Sequence, residues 1–400
     1  MKVIKIDILN HPLFEEKVEV NFLLDARVTT DEKHELLNLF NNYYLNYTYT
    51  FTGLNASGKT QLLNTISFTL NLLQAQPINY RISFLPTDNI LNLDLGQTIT
   101  FVIYFYENLN QKPTLNRLET TVSRKRDELD GQIKYIIEEE YLTVKKTTGI
   151  RTKKDIFNFE KGSYLKKHER NNEDVYLGLS QDVSMMNVFY KKNDYQSLYF
   201  KDMVKFTNFN FFSGYDSIPE EIIKFLDPSI EKINFISKQD SNEIGVEIHF
   251  KNQDRIVKLN SVTDIHTVLS SGTVKGMSLF MEMLVVLEKG GVLIIDELEN
   301  HFNREIAATL IKFFLDRKVN TNGAILIYTT HYAELLDMLD RNDAIFIVKK
   351  QVKINVEKLS ASLKRNDVAR SDQFIKGVLE NTAPDYEAKM KLTHYLKRHF

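Results

Sequence analysis

The sequence predicts an α/β fold: a mixed sheet flanked by helices, with an antiparallel β portion and an inserted α/β lobe. Three stretches predict it. Gly53-Leu54-Asn55-Ala56-Ser57-Gly58-Lys59-Thr60 follows a β-branched and aromatic run at 46–52 and precedes a segment of helical periodicity, which is the strand, loop and helix order of a phosphate-binding loop. Val292-Leu-Ile-Ile-Asp296-Glu297 and Ala324-Ile-Leu-Ile-Tyr-Thr-Thr-His331 are short apolar runs with polar ends. Buried parallel strands read this way, and their C-terminal ends face ligands in open α/β sheets.

The bulk composition narrows the classes. A chain of 400 residues can bury a large core and form two lobes. A formal charge of -2, from 51 basic and 53 acidic residues, gives no global pull toward nucleic acid or a membrane. With no cysteine there is neither a disulfide framework nor a thiolate zinc site. The N-terminal Met-Lys-Val-Ile-Lys-Ile-Asp alternates like a strand, and no apolar run reaches the ~18 residues of a span. The expectation is a cytoplasmic, enzyme-sized protein with no membrane partner.

In chain order, 2–9 and 17–24 read as strands about the turn Asn10-His11-Pro12. Residues 31–40 fit a short helix or a loop. Gln61 to Gln74 sets Leu62, Leu63, Ile66, Leu70 and Leu73 at helical spacing. Residues 98–106 and 133–144 read as an antiparallel pair or more. Around them lie Arg124-Lys125-Arg126, Lys145-Lys146, Arg151, Lys153-Lys154 and Lys166-Lys167, either a solvated face or a nucleic-acid groove. Alternation returns over 232–260. The boundaries drawn are 1–109, a basic inserted lobe at 110–235, then 236–350, and a helical extension at 351–400 whose last twelve residues are basic and amphipathic.

The chemistry assigns roles. Gly53 and Gly58 let the backbone turn its N–H groups toward phosphate oxygens. Asn55, Ala56 and Ser57 complete the loop, and Gln61 follows in the helix. Lys59 brings a charge to the β/γ-phosphates of a nucleotide, and Thr60 offers its hydroxyl to Mg²⁺. Asp296 would hold Mg²⁺ through water, with Glu297 as the base for the attacking water; the alternative is an acidic first turn of a helix. His331 either contacts the γ-phosphate or water, or is structural. Ser270, Ser271 and Gly272 open a long apolar helix, as an anion site or as an ordinary N-cap.

Together and in this order, the loop 53–60, Leu269-Ser-Ser-Gly-Thr273, the acidic strand 292–297 and Thr329-Thr330-His331 resemble the ABC-type ATPase heads. The likeness is greatest to the stand-alone, AAA-like ATPases related to overcoming-lysogenization-defect and abortive-infection proteins of phage defence. It covers about 1–105 and 230–350. The resemblance implies ATP and Mg²⁺ as cofactors. It also implies a homodimer or higher symmetric oligomer, in which Ser270, Ser271 and Gly272 of one copy cap the γ-phosphate held by the partner's loop. Ala56 replaces a frequent second loop glycine, and Asn303 stands where relatives carry histidine. Gln76, Gln97 and Gln181 are alternatives for the glutamine that senses Mg²⁺. The signature departs from the Ser-Gly-Gly-Gln of transporters. With no fused nuclease motif at 351–400, the expected function is an ATPase, slow or partner-dependent, that regulates a separate nuclease-like effector. The alternatives are a DNA-repair or chromosome-maintenance ATPase that binds DNA through the basic lobe, and a small-molecule kinase.

Overall fold

The computed structural model describes residues 1–79, 86–109, 112–127, 131–170, 178–193, 197–204, 217–237, 244–253, 255–300, 302, 304–365, 369–375 and 386–399. Its strands are β1 (Lys2–Leu9), β2 (Lys17–Asn21), β3 (Leu37–Phe40), β4 (Tyr43–Leu45), β5 (Thr48–Thr52), β6 (Thr98–Leu109), β7 (Lys112–Arg126), β8 (Ile133–Lys146), β9 (Lys166–Glu169), β10 (Phe200–Asp202), β11 (Ile230–Ser237), β12 (Ile244–Phe250), β13 (Val257–Leu259), β14 (Val292–Ile295), β15 (Ile325–Thr329), β16 (Ile345–Lys350) and β17 (Ile354–Lys358). The chain divides into two compact units, Met1–Leu198 with Thr329–Phe400, and Tyr199–Tyr328.

In the first unit an antiparallel sheet runs β2-β1-β6-β7-β8-β9. The two segments 98–106 and 133–144 do lie in this sheet, but not against each other. Both pair with β7, from Thr98↔Ser123 on one side to Arg126↔Ile133 on the other. The alternation of β7 is masked in the sequence by its charges. Arg117, Arg124 and Lys125 lie in the strand while Leu118, Thr120, Val122 and Ser123 are buried. The boundary at 109/110 therefore falls between two strands paired along their length, and the basic stretch to 146 belongs to the same sheet as β1 and β2.

The segment 31–40, whose sequence fits a short helix or a loop, is a 3-10 turn at Glu32–His34 followed by β3. Leu37 and Asn38 pair with Leu45 and Tyr44, and Leu36 joins Leu24 and Tyr44 in a small core. Pairing with β4 overrides the weak local preference.

The helix Lys59–Gln74 is buried nearly all round, with Leu62, Leu63, Ile66, Phe68, Leu70, Leu72 and Leu73 among its buried residues. Phe68 meets Phe101 of β6 with ring centroids 5.2 Å apart. Each such side chain is favoured inside by about 1.5–3 kcal/mol, against the entropy of ordering it. β5 runs parallel to β16 with Thr52 opposite Ile347, and β17 closes that edge antiparallel. At the C-terminal end, Arg370 is buried. Its Nε donates to Asn342 Oδ1 at 2.8 Å and its Nη2 to Asp340 O at 2.8 Å.

In the second unit β14 lies parallel to β10 and to β15, with Val292 opposite Phe200 and Ile325. The all-buried Val-Leu-Ile-Ile of β14 is what a strand flanked on both sides requires. A small antiparallel sheet, β11-β12-β13, covers the start of the long helix Ser271–Lys289 through Ile233, Val246, Ile248, Val274 and Met277. The helix Glu220–Leu226 crosses that long helix at Gly276, where a Cβ would lie 2.5 Å from Leu226 Cδ2. Among the described residues no helix is long and apolar enough to cross a membrane.

Candidate functional site

In the first unit β5 ends at Thr52 and the chain turns at once into the loop. Gly53 passes so close to β16 that a Cβ would stand 2.3 Å from Val348 O. Ser57 N donates to Leu54 O at 3.2 Å, and Gly58 (φ 97°) starts the helix with no side chain capping it. An uncapped helix start leaves N–H groups directed at the loop mouth, the arrangement that binds phosphate. Lys59 Nζ bends back to Gly53 O at 3.0 Å and Leu54 O at 2.9 Å. Ser57 Oγ is buried, without a hydrogen-bond partner among the described residues. A buried hydroxyl lacking a partner costs about 1–3 kcal/mol, and a phosphate oxygen would satisfy it. Asn55, Ala56 and Thr60 are exposed at the loop surface. These residues fit a nucleotide's phosphates.

Two details qualify the sequence assignment. Gln61 commits its side chain elsewhere, because Nε2 donates to Ile90 O at 2.6 Å, beside the buried ring of His11. Ala56 adopts φ 62°, a left-handed conformation that suits glycine. A side chain there costs about 1–2 kcal/mol, partly offset in a glycine variant by unfolded-chain entropy. Ala56→Gly is therefore expected to stabilise the protein by about 0.5–1 kcal/mol, a rise in melting temperature of about 1–3 °C in calorimetry. A lower melting temperature would contradict the strain.

The segment ending in His331 lies beside the loop's strand within the same unit. Thr330 N donates to Phe51 O at 3.4 Å, and Thr52 Oγ1 donates to Thr330 O at 3.3 Å. Thr330 Oγ1 in turn accepts from Tyr332 N at 3.0 Å, fixing the bend that carries the exposed His331. The sequence pieces 53–60 and 329–331 are thus brought together.

In the second unit Ser270 caps the long helix, its Oγ accepting from Thr273 N at 3.1 Å. The N-cap reading therefore holds for the Ser270 side chain. Ser271 and Gly272 form the first helical turn and are half-buried. Asp296 is buried at the end of β14 and Glu297 is half-buried. Residues 296–300 are bend and turn, and the next helix begins at Arg304, so the carboxylates end a strand rather than open a helix. Glu297 holds φ 48°, a rare conformation for glutamate. The turn behind it is closed by Asn300 N donating to Glu297 O at 2.7 Å, with Asn300 Nδ2 3.5 Å from Glu297 Oε2. Asn303 lies outside the described residues.

Lys275 is a residue the sequence reading passed over. It is 4% exposed, and among the described residues its Nζ has no hydrogen-bond partner. Burial pulls its pKa down to about 8, and the charge of Glu297 opposes that shift. The only signal in the sequence was a lysine on the apolar side of a helix.

None of the glutamines proposed to sense Mg²⁺ is placed by a contact with the loop. Gln97 Oε1 accepts from Asp94 N in a surface turn, Gln76 N donates to Asn71 O at a helix end, and Gln181 O accepts from Ile137 N.

The family described as "AAA domain, putative AbiEii toxin, Type IV TA system" matches residues 49–337, from β5 through the loop, the long helix, the acidic strand and His331. No curated protein matches the chain. A match over well more than half of the sequence decides the family: the chain belongs to the AAA-domain P-loop ATPases related to abortive infection.

Proposed function

We propose that this protein binds and hydrolyses ATP as a symmetric dimer and thereby regulates a separate, nuclease-like effector in a phage-defence system. The observation that carries the reading is the phosphate loop, with its uncapped helix start, the partnerless Ser57 hydroxyl and Lys59 poised over the loop carbonyls. Lys59 leaves its carbonyls for the phosphates, since pairing an ammonium with an opposite charge outweighs its bond to a neutral carbonyl. Toward Mg²⁺ supplied with the nucleotide, Thr60 would offer its hydroxyl and Asp296 a carboxylate through water, and the ion would neutralise phosphate charge. Glu297 orients the attacking water and takes its proton, with Asn300 restraining the carboxylate. Ser271 and Gly272, at the N-terminus of a nineteen-residue helix, supply N–H groups to the γ-phosphate bound by the other copy.

The basic stretch favours regulation over direct DNA binding, because many of its charges are already answered. Arg117 pairs with Glu119 at 2.6 Å, Arg124 with Asp88 at 3.1 Å, Lys134 with Asp127 at 2.9 Å and Lys167 with Glu169 at 2.7 Å. Lys125 pairs with Glu138, and Lys145 donates to Asn158 O at 2.7 Å.

The test is ATP binding and phosphate release by the wild type and Lys59→Ala, with duplex-DNA binding followed against salt. Wild type is expected to bind Mg·ATP, and Lys59→Ala to bind it roughly 10–100-fold more weakly. Duplex affinity should be weak and nearly independent of salt. Equal ATP affinity in both proteins would refute the nucleotide reading. A steep log–log salt slope, near −0.9 per phosphate contacted, would favour the DNA-maintenance alternative.

A further inference from the structure

We propose that the first unit carries a second ligand site, remote from the phosphate loop, for a nucleoside phosphate: an anionic group joined to a flat ring. A cavity of about 470 Å³ opens between the chain after β2, the β3–β4 hairpin and the start of the helix Lys153–Phe157. That volume lies within the range of roughly 300–1,000 Å³ typical of small-ligand pockets. The inference is independent of the loop's activity.

The lining divides by chemistry. Leu23, Leu24, Val28 and the two tyrosines supply apolar wall, while Arg27, Lys33, Arg151 and Lys153 supply positive charge. Its one carboxylate is occupied, because Asp25 Oδ1 lies 3.2 Å from Lys358 Nζ and Oδ2 accepts from Ser360 Oγ at 2.6 Å. Nearby Asp155 is likewise engaged, accepting from the N–H groups of Arg151 and Thr152 at 3.0 and 2.7 Å. Lys153 Nζ is held by Leu24 O at 2.6 Å. Arg27, Lys33 and Arg151 are exposed, and among the described residues none of their side chains is in an ion pair. Three unanswered cations at one mouth concentrate anions there, and guanidinium groups suit phosphate geometry. Tyr43 is half-buried, with its ring braced at 5.1 Å from Phe40, and can offer a face to a base.

The cavity and the phosphate loop lie at opposite ends of β5. Asp25 N donates at 2.9 Å to Asp343, in the turn just before β16. The other end of β16, at Val348, is where Gly53 packs. Because β5 and β16 are parallel, the length of a strand, about 16 Å for five residues, separates the two sites.

The experiment uses the full chain carrying Lys59→Ala, so that the loop competes for nucleotide roughly 10–100-fold less. AMP, inorganic phosphate and a 5′-phosphorylated tetranucleotide are titrated separately by calorimetry. AMP is expected to bind Lys59→Ala, phosphate at least tenfold more weakly, and Arg27→Glu with Arg151→Glu should cost a further tenfold or more in AMP affinity. Tyr43→Ala should weaken AMP but not phosphate. A tetranucleotide that binds tighter than AMP identifies the end of a strand as the source of the nucleotide; the reverse identifies a free nucleotide. Absence of AMP and tetranucleotide binding, binding of phosphate alone, or an affinity unmoved by the charge reversals would overturn the site. Loss of ATP binding at the loop in Lys59→Ala would leave these results unchanged, so the two readings fail separately.

Discussion

Glu297→Gln is expected to cut ATP turnover by about 10²–10⁴-fold, the range that a general base contributes, while nucleotide affinity changes by no more than a few-fold. The substitution keeps the shape that the structure demands. Gln retains an oxygen for Asn300 Nδ2, and the turn closed by Asn300 N on the residue-297 carbonyl depends on backbone alone. What disappears is the ability to accept a proton. Lys275, buried and without a hydrogen bond, also loses the negative charge that favours its ammonium form, so some loss of stability should accompany the loss of turnover. Phosphate release under saturating ATP and equilibrium nucleotide binding check the two halves. Turnover within a few-fold of wild type would remove Glu297 from the chemistry.

Gly53→Ala should be equally damaging for a different reason. Its Cβ would lie 2.3 Å from Val348 O and 3.0 Å from Ser57 Oγ. The first contact is with the backbone of a buried strand, which cannot rotate away as a side chain can. Either β16 or the loop must shift, at a cost of about 1–3 kcal/mol for overpacking. A shifted loop no longer aims its N–H groups, so ATP binding is expected to fall at least tenfold along with a lower melting temperature. Gly58→Ala provides the contrast. Its Cβ meets only the side chain of Ile354, Cδ1 at 2.3 Å and Cγ1 at 2.7 Å, so Ile354→Ala should relieve that clash and leave the backbone strain of φ 97°, whereas no side-chain change should relieve the clash in Gly53→Ala. Rescue of the latter by a side-chain change would contradict the backbone origin of the defect.

The parts of the fold written in local pattern were legible in advance. The apolar runs at 292–295 and 325–329 are parallel strands because Val, Ile and Leu without alternation suit a strand buried on both faces. The loop helix and the long helix from 271 followed from periodicity, with the former starting two residues earlier than expected because Gly58 itself is the N-cap. What was hidden depends on partners distant in sequence. β7 looked like a basic surface because its arginines and lysines outweigh its buried Thr and Ser in any composition, and only pairing with β6 and β8 identifies it as a strand. Gln61 reads as part of the loop until Ile90 O is seen to take its amide. Lys275 could not be distinguished from any other helical lysine before its burial was known. The cavity at Tyr43 and Arg151 unites segments more than a hundred residues apart, which no motif reports.

In the proposed function the loop of one copy and the Ser271–Gly272 helix start of another complete each other around ATP. Sedimentation velocity on Glu297→Gln, with and without Mg·ATP, tests it most directly. A shift to a dimer or a higher symmetric oligomer is expected on adding ATP, abolished by combining Lys59→Ala with Glu297→Gln. A protein that binds ATP with unchanged sedimentation would contradict the shared site.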